Sequence, residues 1–212
     1  MFSTNEFIVQ SPDGARKAEV VGDRLKVDAV VSNTDGEAST KRKTFVVNAV
    51  GVAIGNNKSM LSLLNAAGSG VVVRLEKMYL INTQTAGITG INADFRLFRI
   101  TGHSVGTALT PLTHDTSDTL SASVTARTGS TVAGEAAAAM YRWMWGTDEW
   151  ATGPADADSA DHSLQNVMPL YEVGLNTKAL TLRPGEGISL KQVVNSTAGT
   201  FDVILVFTEA AA

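Results

Sequence analysis

The stretch Leu182–Val194, LRPGEGISLKQVV, decides the fold class. A Pro-Gly-Glu-Gly turn separates two short runs of alternating apolar and polar residues. Pro184 presets φ for a turn, and Gly185 and Gly187 accept positive φ. Leu180 and Leu182 before the turn, and Ile188 and Leu190 after it, are spaced to share one buried face. The expectation is a β-hairpin, the penultimate turn of the chain, that sets the register of a last strand over Phe201–Thr208, FDVILVFT. The stretch holds no nucleophile and no metal cluster, and Gly185-Glu186-Gly187 is too short for a dinucleotide loop.

Similar runs recur upstream. Thr44–Ile54, TFVVNAVGVAI, reads as a strand with a bulge or bend at Gly51. Ser59–Ala67 fits a helical turn and an irregular strand equally. Val71–Thr83, VVVRLEKMYLINT, is a long strand. Ala93–Thr101, ADFRLFRIT, carries apolar groups on both faces, as expected for an edge of one sheet that faces another surface. Gly102–Thr116 reads as loop, Leu120–Thr128 as a weak strand, and Ala133–Trp150 as a short helix or a long crossover. Val167–Val173, Lys178–Leu182 and Ile188–Asn195 complete the pattern. Short strands separated by turn signals predict an all-β chain. The expected architecture is an antiparallel jelly-roll-like β-sandwich over residues 46–212. A small N-terminal β-hairpin or arm over residues 1–45 precedes it, turning at Gly22-Asp23.

Composition agrees. Of 212 residues, 44% are hydrophobic and only 18% charged, which suits a packed core and argues against global disorder. The net charge of −4 gives no basic surface for a phosphate backbone, so no nucleic-acid partner is expected. The basic run Lys41-Arg42-Lys43 reads as a solvated turn. There is no cysteine, which excludes disulfides and thiolate chemistry. MFSTNEFIVQ lacks the basic and apolar regions of a signal peptide, and Phe45–Gly55 is too short to span a bilayer, so a soluble protein with no membrane partner is expected.

Reactive constellations are sparse. Gly102-His103-Ser104-Val105-Gly106 fits the bare nucleophile-elbow pattern, but its flanks read as strand and Thr/Pro-rich loop, whereas the elbow needs a strand-to-helix turn. A triad drawn from His114 or His162 would be arbitrary. Asp156–His162, DADSADH, lacks the glycine and glutamate positions of a calcium loop. Glu172 and Glu186 have no indicated acid–base partner. We therefore expect no catalytic residue, no cofactor and no metal. The anomaly is the aromatic cluster Tyr141, Arg142, Trp143, Met144, Trp145 and Trp150, which holds all three tryptophans. It fits a cap on the core, a subunit interface or a sugar-binding platform. The interface is favoured over the sugar platform, since Asp148 and Glu149 only weakly supply the polar groups a sugar needs.

The succession NAAGSGVVVRLEKMYLINTQTAGITG, FRLFRITGHSVGTALTPLTHDT, RWMWGTDEW and LRPGEGISLKQ resembles virion proteins of tailed bacteriophages, over Ser59–Thr208. Within that group it is similar to the jelly-roll decoration, or cement, proteins of phage heads. The front hairpin, with Gly22-Asp23 before Leu25-Lys26-Val27, resembles small attachment modules of such proteins. The resemblance implies a structural protein and not an enzyme, a homo-oligomer such as a trimer bound to the major capsid protein. It would be made in the host cytoplasm and carried on the virion head surface. Residues 1–45 are then the candidate anchor, with Phe7, Leu25 and Val27 as its apolar contacts, because an extended arm can add a strand to a neighbour's sheet. The alternative is a receptor- or carbohydrate-binding module of a tail fibre or baseplate.

Overall fold

In the computed structural model, Leu182 does not turn back onto Ile188. Thr181 and Leu182 pair with Arg74 and Val73 in one sheet, while Glu186–Gln192 is hydrogen-bonded into another. The expected hairpin is instead a corner between two sheets. The Glu186 N–H donates to the Arg183 carbonyl at 2.9 Å, and Gly185 has φ +87°, which fits a type II turn with Pro184 before the glycine. Leu180, Leu182, Ile188 and Leu190 still meet, because both sheets face one core.

The structure describes residues 19–21, 24–26, 42–83, 91–147, 167–174, 177–193 and 199–212. The chain divides into two units, Met1–Lys41 and Arg42–Ala212. In the first, β1 (Glu19–Val21) and β2 (Arg24–Lys26) pair antiparallel, with Val20 opposite Leu25. The second contains β3 (Lys43–Ala53), β4 (Lys58–Asn65), β5 (Val71–Asn82), β6 (Ile91–Ile100), β7 (Gly102–Ser104), β8 (Thr107–Leu109) and β9 (Leu112–Thr113). It continues with β10 (Val124–Thr128), β11 (Thr131–Ala133), β12 (Tyr141–Thr147), β13 (Val167–Glu172), β14 (Thr181–Leu182), β15 (Glu186–Gln192) and β16 (Thr200–Ala211). Lys43–Phe45, placed with the arm by sequence, lie in β3.

The second unit is a β-sandwich. Sheet I has the order β12-β6-β15-β4-β10-β8, and sheet II the order β13-β5-β16-β3-β9 with β14 also on β5. All pairings are antiparallel. From β3 to β6 the chain changes sheet at every strand, so the two sheets are interleaved in sequence and share one core. Phe45, Phe201 and Phe207 enter that core from sheet II and Phe95 from sheet I, all fully buried. Burial of such a side chain stabilises by roughly 1.5–3 kcal/mol, so this set is a main source of sheet-on-sheet cohesion. Asn65 ties the sheets at the corner. Its Nδ2 donates to the carbonyls of Val71 (2.8 Å) and Leu182 (3.1 Å), both in sheet II.

One open reading is settled and three expectations change. Of the two readings of Ser59–Ala67 the strand holds, because β4 is flanked on both edges by β10 and β15. Gly102–Thr116 holds three short strands. Ala133–Trp150, described as far as Thr147, contains β12 and no helix among its described residues, and β12 pairs in unbroken register with β6. Finally, β6 is not an edge strand. Its two apolar faces reflect cover on both sides: Ala93, Phe95 and Leu97 join the core, while outside Lys191 lies over the Phe98 ring.

The two glycines of the opening stretch differ in what they require. A Cβ on Gly187 would lie 2.7 Å from the Leu63 carbonyl oxygen and 2.9 Å from Ile100, whereas one on Gly185 meets only Ala67 at 4.0 Å. Gly187 is needed for space and Gly185 for its positive φ. Gly187→Ala should therefore destabilise by about 1–3 kcal/mol through overpacking, and Gly185→Val by a similar amount through backbone strain, about 1–3 kcal/mol. Gly185→Asn should recover most of the Gly185 loss, since asparagine tolerates positive φ. Urea unfolding of the three variants checks this, and equal losses for Gly185→Val and Gly185→Asn would refute the φ argument.

Candidate interaction surface

The aromatic cluster lies on β12, the edge strand of sheet I. Alternation sends Tyr141, Trp143 and Trp145 toward one side and Arg142 and Met144 toward the other. Trp145 is buried and packs edge-on against Phe201 at 4.9 Å, and Phe201 in turn meets Phe95 at 5.3 Å. Tyr141 stacks on Trp143 at 5.7 Å and meets Tyr171 of β13 edge-on at 5.9 Å. Since β13 is the edge of sheet II, these rings close one lateral opening of the sandwich. The Tyr171 hydroxyl accepts the Leu180 amide at 2.8 Å, which fixes that ring. Most of the cluster is thus a seam of the core. Tyr141 at 44%, Met144 at 52% and Arg142 are its exposed members among the described residues. Trp150, Phe7 and Val27 lie outside the described residues, and Leu25 is placed only by its pairing in β2.

Arg142 has a partner that sequence spacing did not reveal. It lies opposite Arg96 in the β12–β6 ladder, and the Asp94 carboxylate receives both guanidiniums. Asp94 accepts from Arg96 Nη2 at 2.7 Å and from Arg142 Nη2 at 2.9 Å, with Nε bonds at 3.2 and 3.0 Å. The Arg96 hydrogen bonds, reinforced by Arg142, hold the Asp94 carboxyl below the usual carboxylate range despite burial, which pushes the other way. Stability from this cluster is present above the ordinary Asp value and lost as pH falls through the lowered one. The Asp94 side chain is closed to solvent, while the Arg96 and Arg142 side chains are 30% and 57% exposed. Asp94→Asn should therefore cost about 2–3 kcal/mol, less than the roughly 3–5 of a fully buried pair. Chemical denaturation at neutral pH measures it, and a loss within error of zero would rule the cluster out as a strut.

A second polar group lies on the outer face of sheet I, beneath the two-stranded β7–β11 flap. Ser59 and Ser189 share a hydrogen bond of 2.9 Å, Ser130 reaches Ser59 at 3.2 Å, and Ser62 bonds Ser130 at 2.8 Å. Ser62 also bonds His103 Nδ1 at 2.8 Å, and His103 Nε2 bonds Thr125 at 2.9 Å. The imidazole therefore bridges β7 to β4 and β10. The Ser62 hydroxyl is buried, which makes the pair a clamp on the flap and not an exposed nucleophile. Ser104, the serine of the elbow-like string, ends β7 and is followed by a turn into β8 rather than by a helix. Among the described residues no group of three metal-ligating side chains gathers. Asp156–His162 lies outside them.

Burial, and then the Arg127 charge, hold the His103 pKa below its ordinary 6.5. The unfolded chain takes up the proton first as pH falls. The His103 contribution is thus full above 6.5 and declines as pH drops through the lowered native value. Urea midpoints between about pH 5 and 8 should fall toward acid, and His103→Gln should flatten that slope. An unchanged slope in the variant would show that the imidazole does not titrate with unfolding.

The outer face of sheet II is different in kind. Cross-strand register sets Val46 beside Val206, Ile204 beside Tyr79, and Ile81 beside Val167. Leu112 extends this face beyond Val46 and is 65% exposed. Among its charges, Lys77 and Glu172 pair at 2.8 Å and Asp202 accepts the Gly51 amide at 2.6 Å, while register sets Arg74 beside Thr208. This face was not singled out from the sequence. Its only signal is the unbroken apolar run Val203–Phe207, which alternates into both faces of β16. Comparison with protein-family models, curated proteins and solved structures finds no match to the chain.

Proposed function

We propose that this chain is a structural virion protein of a tailed bacteriophage, a capsid decoration protein with a jelly-roll type of sandwich. It binds the outer head shell through the major capsid protein and stiffens it as a homo-oligomer. The observation that carries the reading is the largely apolar outer face of sheet II on a sandwich whose core is already filled from both sides. Such a surface supplies contact area and no reactive group. The His103 imidazole and the Asp94 carboxylate are both engaged in internal bonds that hold strands together. On a symmetric shell, individually modest contacts add up through multivalency.

The receptor- or glycan-binding alternative draws on the exposed Tyr141 of the aromatic seam. It is the weaker reading, because Trp145 is buried against Phe201 in the core, which leaves no broad aromatic platform among the described residues.

Cryo-electron microscopy of the particle tests the proposal. The chain is expected on the outer head shell, and heads lacking it should open at lower temperature or on removal of divalent ions. Finding the chain at the tail tip, or in no particle, would overturn the decoration reading.

A further inference from the structure

The two sheets have opposite outer surfaces. Outside sheet I the strands present Ser62, Ser189, Lys191 and Asp94 together with Phe98 and Ile100, all buried. The β7–β11 flap covers the serines, Glu135 meets Lys191 at 2.8 Å, and two arginines meet Asp94. Outside sheet II the strands present Val46, Val206, Ile204, Tyr79 and Ile81, all half-buried, and Val167, which is exposed. Antiparallel sheets with one solvated face normally alternate apolar in and polar out, whereas strands covered on both faces carry apolar residues on both. By its sequence, β16 is a strand of the second kind. The outer face of sheet I is buried by the rest of the chain, whereas the apolar residues on the outer face of sheet II stay at least partly open.

We infer that the outer face of sheet II is a self-association surface that packs against the same face of a second copy about a two-fold axis. Three features select that occupant. First, the charges of the face come in both signs. Lys77 and Glu172 pair within it, while Asp202, beside Ile81, and Arg74, beside Thr208, lie toward opposite ends of the β5–β16 ladder. A partner charged with one sign would leave like charges desolvated against valine and isoleucine, whereas an identical face brings both signs. Second, the size is adequate. Five strands at about 4.8 Å spacing and some seven residues at about 3.3 Å cover roughly 550 Å². Two copies would then bury on the order of 1,000 Å², the lower bound of a stable interface. Third, the face is a pleated surface of β-branched and aromatic side chains, the same material that packs sheet on sheet inside this molecule, and a two-fold makes such packing self-complementary. Leu112 and Val50, 65% and 69% exposed, border the patch on the β9–β3 side and extend its contact area.

The inference deepens the decoration reading by naming the surface of self-association, and it rests on that reading only for the expectation that copies associate. The two fail separately, because particle location tests one and solution mass tests the other. The experiment is sedimentation equilibrium of the full chain from low to high micromolar concentration, with Ile204→Lys and Val206→Lys as variants and cooperative melting as the check on folding. The expected result is a dimer mass that halves in either folded variant, equivalent to at least a tenfold weaker dissociation constant. Should those variants fail to fold, Asn48→Cys serves instead. Asn48 is exposed on this face beside Ile204, and the chain has no other cysteine. A spin label there should show dipolar coupling between copies. Three results would overturn the inference: a full chain that stays monomeric, a dimer unaffected by both lysine substitutions in folded protein, or labelled dimers without coupling. So would a dimer lost on Met144→Lys and kept on Ile204→Lys, which would assign the contact to the β12 edge.

Discussion

Strand β15 is buried on both faces and hydrogen-bonded along both edges, to β4 and to β6. An unpaired amide or carbonyl there would have no water to turn to, so each ladder must be complete. Much of the molecule follows from that. Gly187 leaves the space in which β4 and β6 close on β15 at its start. Ile188 and Leu190 deliver the inner face to the core. Ser189 and Lys191 point outward and, being buried, require partners, which the serine network and Glu135 provide. The flap that carries His103 is therefore part of the solution to burying a central strand with a polar outer side.

The same accounting distinguishes the two faces of the sandwich. Sheet I places hydroxyls, charges, Phe98 and Ile100 outward and buries them with its own chain, so its outer groups serve the fold. Sheet II places valine, isoleucine and tyrosine outward, with Lys77 and Glu172 paired among them. Chemistry in this molecule is turned inward and apolar area is turned outward, which suits a protein that works by contact. In the aromatic seam Trp145 and Trp143 fill the gap between the edges of the two sheets, and Tyr141, Arg142 and Met144 are its exposed members among the described residues.

The all-β class and most strands were legible before any coordinates, because period-two alternation and Gly/Pro turn residues are local signals. Val71–Thr83 and Phe201–Thr208 correspond closely to β5 and β16. Misreadings arose where local pattern is silent about which sheet a strand joins. LRPGEGISLKQVV has the residues of a hairpin, and its two arms do share a core, but from opposite sheets. The run at Ala93–Thr101 shows apolar residues on both faces, which a covered interior strand and an edge against another surface produce alike. At RWMWGT the aromatic residues were legible as an anomaly. Their role as a seam depends on Tyr171, some thirty residues away in sequence and adjacent only because β12 and β13 are both edges. Asp94 and His103 were invisible as structural centres, since their partners come from β12, β4 and β10.

The sequence by itself determined the strand-forming segments, the positive φ at Gly185, the lack of thiol chemistry and the apolar character of both faces of β16. These are properties of residues and of neighbours one to four positions apart. The tertiary structure alone decided the interleaving of the two sheets, the charge cluster on Asp94, the flap over the serines and the exposure of one apolar face. Those depend on contacts between residues distant in the chain, and such contacts are settled by the joint requirement to pair every buried backbone group and to fill one core from two sides.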